Sequence, residues 1–355
     1  ADIYKPRTPV AQIWEQVIAD FTAATALPKR SEYSEEDTGR VTSGTAYAML
    51  GRTYWYNRDF ENAYKMLYVL VEGEQKGEYE LDPDFATQWL NPNSNLRESI
   101  FEIQYVTNGK NWDASTGWNG VWFIPSSDGG YGFHLPTQHL LDAFDPEDPR
   151  ITWTFVRQGD QFVGNDFVTG DANYPSRFFD RKHFVPMSET LNAASPVYPQ
   201  DVEMTVYVIR YADVLLMYAE ACLEKGDIVG ARKYLNQVRK RARESSPLDA
   251  KRVIQKYVPD TKPTSLPDIT SDNVAEVRLA IWNERRFEFA CEGIRRMDLM
   301  QQERYGEIMT AVYSNGYATE DVDKGRYYTK ERELFPIPQN DIDLSRGALV
   351  QNPGY

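Results

Sequence analysis

Histidine and cysteine are nearly absent from this chain, which has three of the first and two of the second. No pair of cysteines stands at metal-binding spacing. His134, His139 and His183 show no spacing that suggests zinc. Cys222 and Cys291 each sit in an apolar helical context, which leaves two readings open: buried free thiols or one disulfide. A basic excess is also lacking. The chain carries 39 Lys and Arg against 53 Asp and Glu, a formal net charge of −14. A phosphate-binding surface needs the opposite sign, so nucleic acid is excluded as a partner. There is no run of eighteen apolar residues, so no segment can span a membrane as a helix. A phosphate-type glycine loop and a nucleophile elbow are missing as well. No cofactor is expected.

Aromatic residues are abundant. Tyr, Phe and Trp number 23, 16 and 8, or 13% of the chain. They offer flat surfaces for a ligand as well as core filling. With 355 residues the chain is long enough to bury a large core.

The most regular stretch is Tyr207 to Arg243, read here as two helices. Val208, Ala212, Leu215, Ala219 and Cys222 recur at three- and four-residue steps and share one face. Lys225-Gly226-Asp227 ends the first helix, with Gly suited to the left-handed C′ position and Asp to the next cap. Ala231, Leu235 and Val238 line the second. Thr45 to Leu70 lies over Asp213 to Val238 without a gap. Gly51 then falls on Ala219, Asp59 on Asp227, Ala63 on Ala231 and Leu67 on Leu235. This small–large pattern is that of a tetratricopeptide-like hairpin, a unit that cannot bury its apolar face alone.

Further helices are expected at Thr8-Pro9 onward, with Thr8 as cap and a stripe of Val10, Ile13, Trp14, Val17 and Phe21. A short helix is expected at Thr137 to Phe144, and one long helix from Asn273 to Met300. Ile100 to Val106 alternates like a strand. The rest of 99–205 is rich in Gly, Asn, Asp, Pro and aromatics, and 310–355 reads as irregular. The expected architecture is mainly α. Helical hairpins at 8–73 and 206–305 form a scaffold, and long irregular loops at 99–205 form a ligand-binding face.

Five ordered motifs resemble the SusD/RagB family. They are Gly39-Arg40-Val41-Thr42 with Ala46-Tyr47, then Asp142-Ala143-Phe144-Asp145 with Asp148-Pro149-Arg150, then Arg210 to Ala221, then Asn283 to Leu299. The fifth is Phe335-Pro336-Ile337-Pro338 with Gln351-Asn352-Pro353-Gly354-Tyr355. The resemblance covers essentially the whole chain as a single domain. It implies a nutrient-capturing lipoprotein on the outer face of a Bacteroidetes-type outer membrane, most often binding glycans and seated on a SusC-like TonB-dependent transporter. Peptide capture is known for some members. The family's lipid-bearing N-terminal Cys and first helical repeat have no counterpart here, so the resemblance implies a fragment or trimmed form. Ile294, Arg296 and Met297 stand where the family usually has His and aromatics.

Two constellations could carry chemistry. Glu284, Glu288 and Glu292 recur every four residues, near Arg285, Arg286, Arg295 and Arg296. Carboxylates in succession on one helix cannot straddle a scissile bond from two sides. They are expected to form an ion-paired lock with Glu220, Arg210 and Arg239, so a carbohydrate hydrolase is disfavoured. The second constellation is Asn111 to His134. It places Trp112, Trp118 and Trp122 within eleven residues, followed by Tyr131 and Phe133, with Asp113 and Asn119 between. A sugar has an apolar C–H face to stack on a ring and hydroxyls that want carboxylate or amide partners. Trp112, Asp113, Trp118, Asn119, Trp122 and Tyr131 are therefore the expected glycan-binding residues, with Trp153, Phe155 and Tyr174 as weaker candidates. Asp142, Asp145, Glu147 and Asp148 lack the regular calcium loop and are expected to form a solvated acidic turn.

Overall fold

The computed structural model describes residues 5–90, 93–105, 122–123, 131–157, 160, 178–183, 204–248, 266–314 and 328–355. The first half contains α1 (Val10–Ala24), α2 (Ser43–Tyr56), α3 (Phe60–Val71), β1 (Ser99–Ile103), α4 (Gln138–Leu141), α5 (Ile151–Thr154), β2 (Phe155–Arg157) and β3 (Phe178–Asp180). The second half contains β4 (Val206–Arg210), α6 (Tyr211–Glu224), α7 (Ile228–Arg243), α8 (Val274–Glu288), α9 (Arg295–Gln301), α10 (Tyr305–Ser314) and α11 (Gln339–Leu344). The protein is mainly α, with two short two-stranded antiparallel sheets, β1 with β4 and β2 with β3, among the described residues.

The two hairpins, α2–α3 and α6–α7, break in the same way. In the first, the Asp59 amide donates to the Tyr54 carbonyl at 2.9 Å and the Arg58 amide to Trp55 at 3.0 Å. In the second, Asp227 donates to Cys222 at 2.9 Å and Gly226 to Leu223 at 3.0 Å. This 6→1 and 5→2 pairing forces the C′ residue into the left-handed region. Gly226 sits there at φ 86°, and Arg58 does so at φ 60° despite its side chain. Asp59 and Asp227 then cap the following helices by accepting the Asn62 and Gly230 amides at 3.1 and 2.8 Å.

Both hairpins share one core. Ala48, Leu67 and Leu70 are buried with Leu215, Ala219, Ala231, Leu235 and Val238, and α8 adds Val277 and Ile281. Gly51 lets α2 approach α3, since a Cβ there would overlap the Leu67 side chain. Gly51→Val therefore lowers stability by about 1–3 kcal/mol through overpacking. A urea midpoint that does not move would show the pair can spread without cost.

The chain departs from the sequence reading at several points. Val206–Arg210 is a strand, not the start of a helix; it pairs with β1, Ser99 opposite Arg210 and Ile103 opposite Val206. Its β-branched residues suit a pleated surface and β1 supplies the partner edge. The expected long helix over 273–300 is two helices. Cys291 at φ 66° and Gly293 at φ 80° are left-handed, a conformation no α-helix can continue. Thr8 caps nothing: the N-cap is Pro9, without a side-chain bond. The stripe of α1 is poorly covered, with Val10 and Ile13 exposed. The helix expected over 137–144 shrinks to α4, with Thr137 as its cap. The 310–355 region contains α11, and Gln351 ties it down by exchanging two bonds with the Ile337 backbone at 2.8 and 2.9 Å.

Candidate functional site

Among the described residues of the aromatic segment, the Phe133 amide donates to the Trp122 carbonyl at 2.7 Å. That bond brings Trp122, Tyr131 and Phe133 together. Their ring centroids are 5.2 Å (Trp122–Tyr131), 5.9 Å (Trp122–Phe133) and 6.0 Å (Tyr131–Phe133), with interplanar angles of 30°, 16° and 14°. All three rings are about half exposed, at 48%, 56% and 54%. Near-parallel rings offered to solvent form a surface on which a flat apolar ligand face can stack. Trp112, Asp113, Trp118, Asn119 and Tyr174 lie outside the described residues. Trp153 and Phe155 are fully buried, and the Trp153 indole donates to the Ser246 carbonyl at 2.7 Å, so both belong to the core.

Beside the aromatic rings the fold assembles a group that spacing could not reveal. His134 and His183 lie 49 positions apart, yet both Nδ1 atoms face Asp180 Oδ2, at 3.3 and 2.7 Å. Asp180 closes β3 and is fully buried. Its other oxygen accepts the Lys182 amide at 2.9 Å. Burial would raise the Asp180 pKa, but the His183 charge and the bonds from both imidazoles hold it well below the usual carboxylate range. His139 stands apart, its ring and carbonyl facing Arg286.

A polar cleft of about 250 Å³ lies elsewhere, between Arg30, Tyr33, Gly39, Tyr79 and Glu102. Arg30 is occupied there by the carbonyls of Asn95, Leu96 and Ser99.

The profile of the SusD family matches residues 97–355. The chain belongs to the SusD family. Among curated members, it is 24% identical to SusD-like protein P2 of Formosa agariphila and 24% identical to a SusD-like protein of Bacteroides ovatus. Each alignment covers 98% of this chain and 66% of the relative, so the chain spans just under two thirds of their length. Among solved structures, it matches a SusD homolog from Bacteroides thetaiotaomicron with a TM-score of 0.74 at 22% identity, covering 98% of this chain and 71% of that one. Surface glycan-binding protein A of the same organism, solved with laminarihexaose, matches with a TM-score of 0.70 at 22% identity, covering 98% and 72%. At these identities the structures establish the fold.

The most patterned SusD-family motifs turn out to hold the frame. Five carboxylates, Glu98, Asp148, Glu284, Glu288 and Glu292, meet five cations, Arg150, Lys182, Arg210, Arg239 and Arg241. Glu284 accepts from Arg150 at 2.6 Å and Arg239 at 2.9 Å. Glu288 accepts from Arg150 at 2.9 Å, Arg210 at 2.6 Å and Arg241. Both carboxylates are fully buried and fully paired, so neither can meet a glycosidic oxygen. The expected lock is present: Glu284, Glu288, Glu292, Arg210 and Arg239 are in it, Glu98, Asp148, Arg150, Lys182 and Arg241 join them, and Glu220 does not. Glu220 accepts the indole N–H groups of Trp55 and Trp282, both at 2.9 Å, instead of an ion pair. Asp148 is buried against Arg150 and not a solvated turn. Both cysteines are free thiols.

Arg285 joins a separate buried cluster, donating to Asp213 at 2.6 Å and to Asp298 at 2.9 Å. Burial pushes both acids up. Asp213 also holds Arg52, and two guanidinium groups overcome burial and bring it from 3.8 to about 2. Asp298 is held by Arg285, and burial outweighs that single guanidinium and keeps it raised. A depressed carboxylate stabilises the fold above its unfolded pKa and loses that contribution as pH falls through its folded one. Asp213→Asn is therefore expected to destabilise at pH 6 by about 2–3 kcal/mol, a shift of roughly two pKa units. The gap to wild type should close between about pH 4 and pH 2. Urea midpoints measured at both ends would refute this if the gap were constant.

Proposed function

We propose that the protein captures oligo- or polysaccharide at the cell surface and does not turn it over. The observation that carries this is the trio of half-exposed, near-parallel rings, Trp122, Tyr131 and Phe133. A pyranose ring stacks its C–H face on such a surface, and neighbouring polar groups take its hydroxyls. Membership of the SusD family supports the reading, as does the fold shared with a protein solved with laminarihexaose. A laminarin-binding SusD-like protein has the same fold, with a TM-score of 0.69. Trp112, Asp113, Trp118 and Asn119 extend the platform in this proposal. Shallow stacking gives weak affinity per sugar, recovered by several simultaneous contacts.

In the same reading residues 1–355 form one domain that hands its glycan to a SusC-like TonB-dependent transporter. The whole protein is held on the outer face of the outer membrane by a lipid anchor in this proposal. The test is retention on a glycan array with laminarihexaose among the probes, together with an assay for new reducing ends. Retention without new reducing ends is expected. Binding of peptides alone, or turnover lost in Glu284→Gln, would overturn it.

A further inference from the structure

We propose that His134, Asp180 and His183 form a binding site for a divalent transition-metal ion of the zinc class. The site stands on its own geometry and does not depend on the glycan reading. One nitrogen from each imidazole and one oxygen from the carboxylate lie within 4.8 Å of one another. Small adjustments of the two rings, with the 2.7 Å contact between His183 and Asp180 opening to admit the ion, would bring these three atoms to the roughly 2.0–2.2 Å bonds such an ion requires.

Four features separate this group from an ordinary surface ion pair. The first is the fixed carboxylate. Asp180 Oδ1 is committed to the Lys182 amide at 2.9 Å, and this aims Oδ2 at both rings. Such orientation by outer partners is what metal-ligating carboxylates need. The second is the apolar wall. The His183 ring lies 4.8 Å from Phe123 and 6.4 Å from Trp89, and the His134 ring lies 5.8 Å from Phe123. The third is the backbone of His134, which is left-handed at φ 59° although it is not glycine. Side chains in that region are uncommon, and such strain gathers at sites where a side chain must be aimed. The fourth is the open side. His134 leaves 44% of its side chain in solvent, which gives a metal a route in and a free coordination position.

The chemistry of the donors selects the ion. Two imidazoles and one carboxylate suit zinc-class metals, whereas calcium and magnesium demand oxygen. The buried cation beside the site does not block it. Lys182 Nζ is held by Glu292 at 2.7 Å and by the Glu288 carbonyl at 2.9 Å. Bound metal would tie the segment carrying Tyr131 and Phe133 to β3. That consequence for ligand binding, unlike the site itself, rests on the proposed glycan function.

The experiment is a calorimetric titration of Zn²⁺ into the untagged, chelator-stripped protein. Wild type should take up one equivalent, and excess Ca²⁺ or Mg²⁺ should not compete. His134→Ala and His183→Ala should each weaken uptake by at least about tenfold. His139→Ala should match wild type. His134 is half exposed, so its variant keeps the fold, and a far-ultraviolet circular dichroism spectrum checks both. No saturable uptake by wild type, or uptake unchanged in both ligand variants, overturns the site. Laminarihexaose retention by the stripped wild type separates the two proposals: retention without zinc uptake sinks the metal site alone.

Discussion

Glu288→Ala is expected to destabilise the protein by about 3–5 kcal/mol, the cost of breaking a buried charge network from one side. Glu288 is the only carboxylate among the described residues that meets Arg150, Arg210 and Arg241 together. All four side chains are buried. Removing it takes one partner from each of three guanidinium groups that lost water on folding. Glu98, Glu284, Glu292 and Asp148 would remain, leaving the centre with a net positive charge. The effect should appear as a lower urea midpoint with an unchanged slope. The exposed pair Lys225–Glu61 provides the contrast, because solvent screens it. Lys225→Ala should barely move the midpoint. Equal effects from the two variants would show that the buried network does not hold β4, α7, α8 and the 148–150 turn together.

Trp122→Ala is expected to weaken glycan retention by about tenfold, or about 1.4 kcal/mol, with stability unchanged. Its ring makes both shorter contacts of the trio, so its loss removes one stacking surface and loosens the other two. Tyr131→Ala should have a smaller effect in the same direction. Trp153→Ala serves as the opposite control. That residue is buried, so it should lower the melting temperature while the folded fraction still binds. Affinity electrophoresis through laminarin-containing gels reads all three. Unaltered mobility of both Trp122→Ala and Tyr131→Ala would remove the platform from the site.

How far the sequence could be read depended on the range of the interaction. The hairpins were legible because their signals are local. Gly226, Asp227 and Asp59 act within a few residues, and the apolar positions of 45–70 and 213–238 repeat on a helical period. The break at Cys291 and Gly293 was not legible, because neighbouring apolar residues keep a helical spacing through a turn that only the backbone angles show. The lock was half legible. Glu284 and Glu288 announced it by spacing, but their partners Arg150 and Arg241 come from other parts of the chain.

The candidate site divides along the same line. Sequence alone determined that this protein is built on repeated helical hairpins, carries a net charge of −14, and concentrates aromatics at 111–134. Tertiary structure decided which aromatics face water. Trp122, Tyr131 and Phe133 do, while Trp153 and Phe155, equally aromatic in sequence, fill the core. It also decided that His134 and His183 meet on Asp180. Exposure and convergence depend on which distant surfaces pack together. Periodicity reports only what one segment could bury, and cannot say what it is buried against.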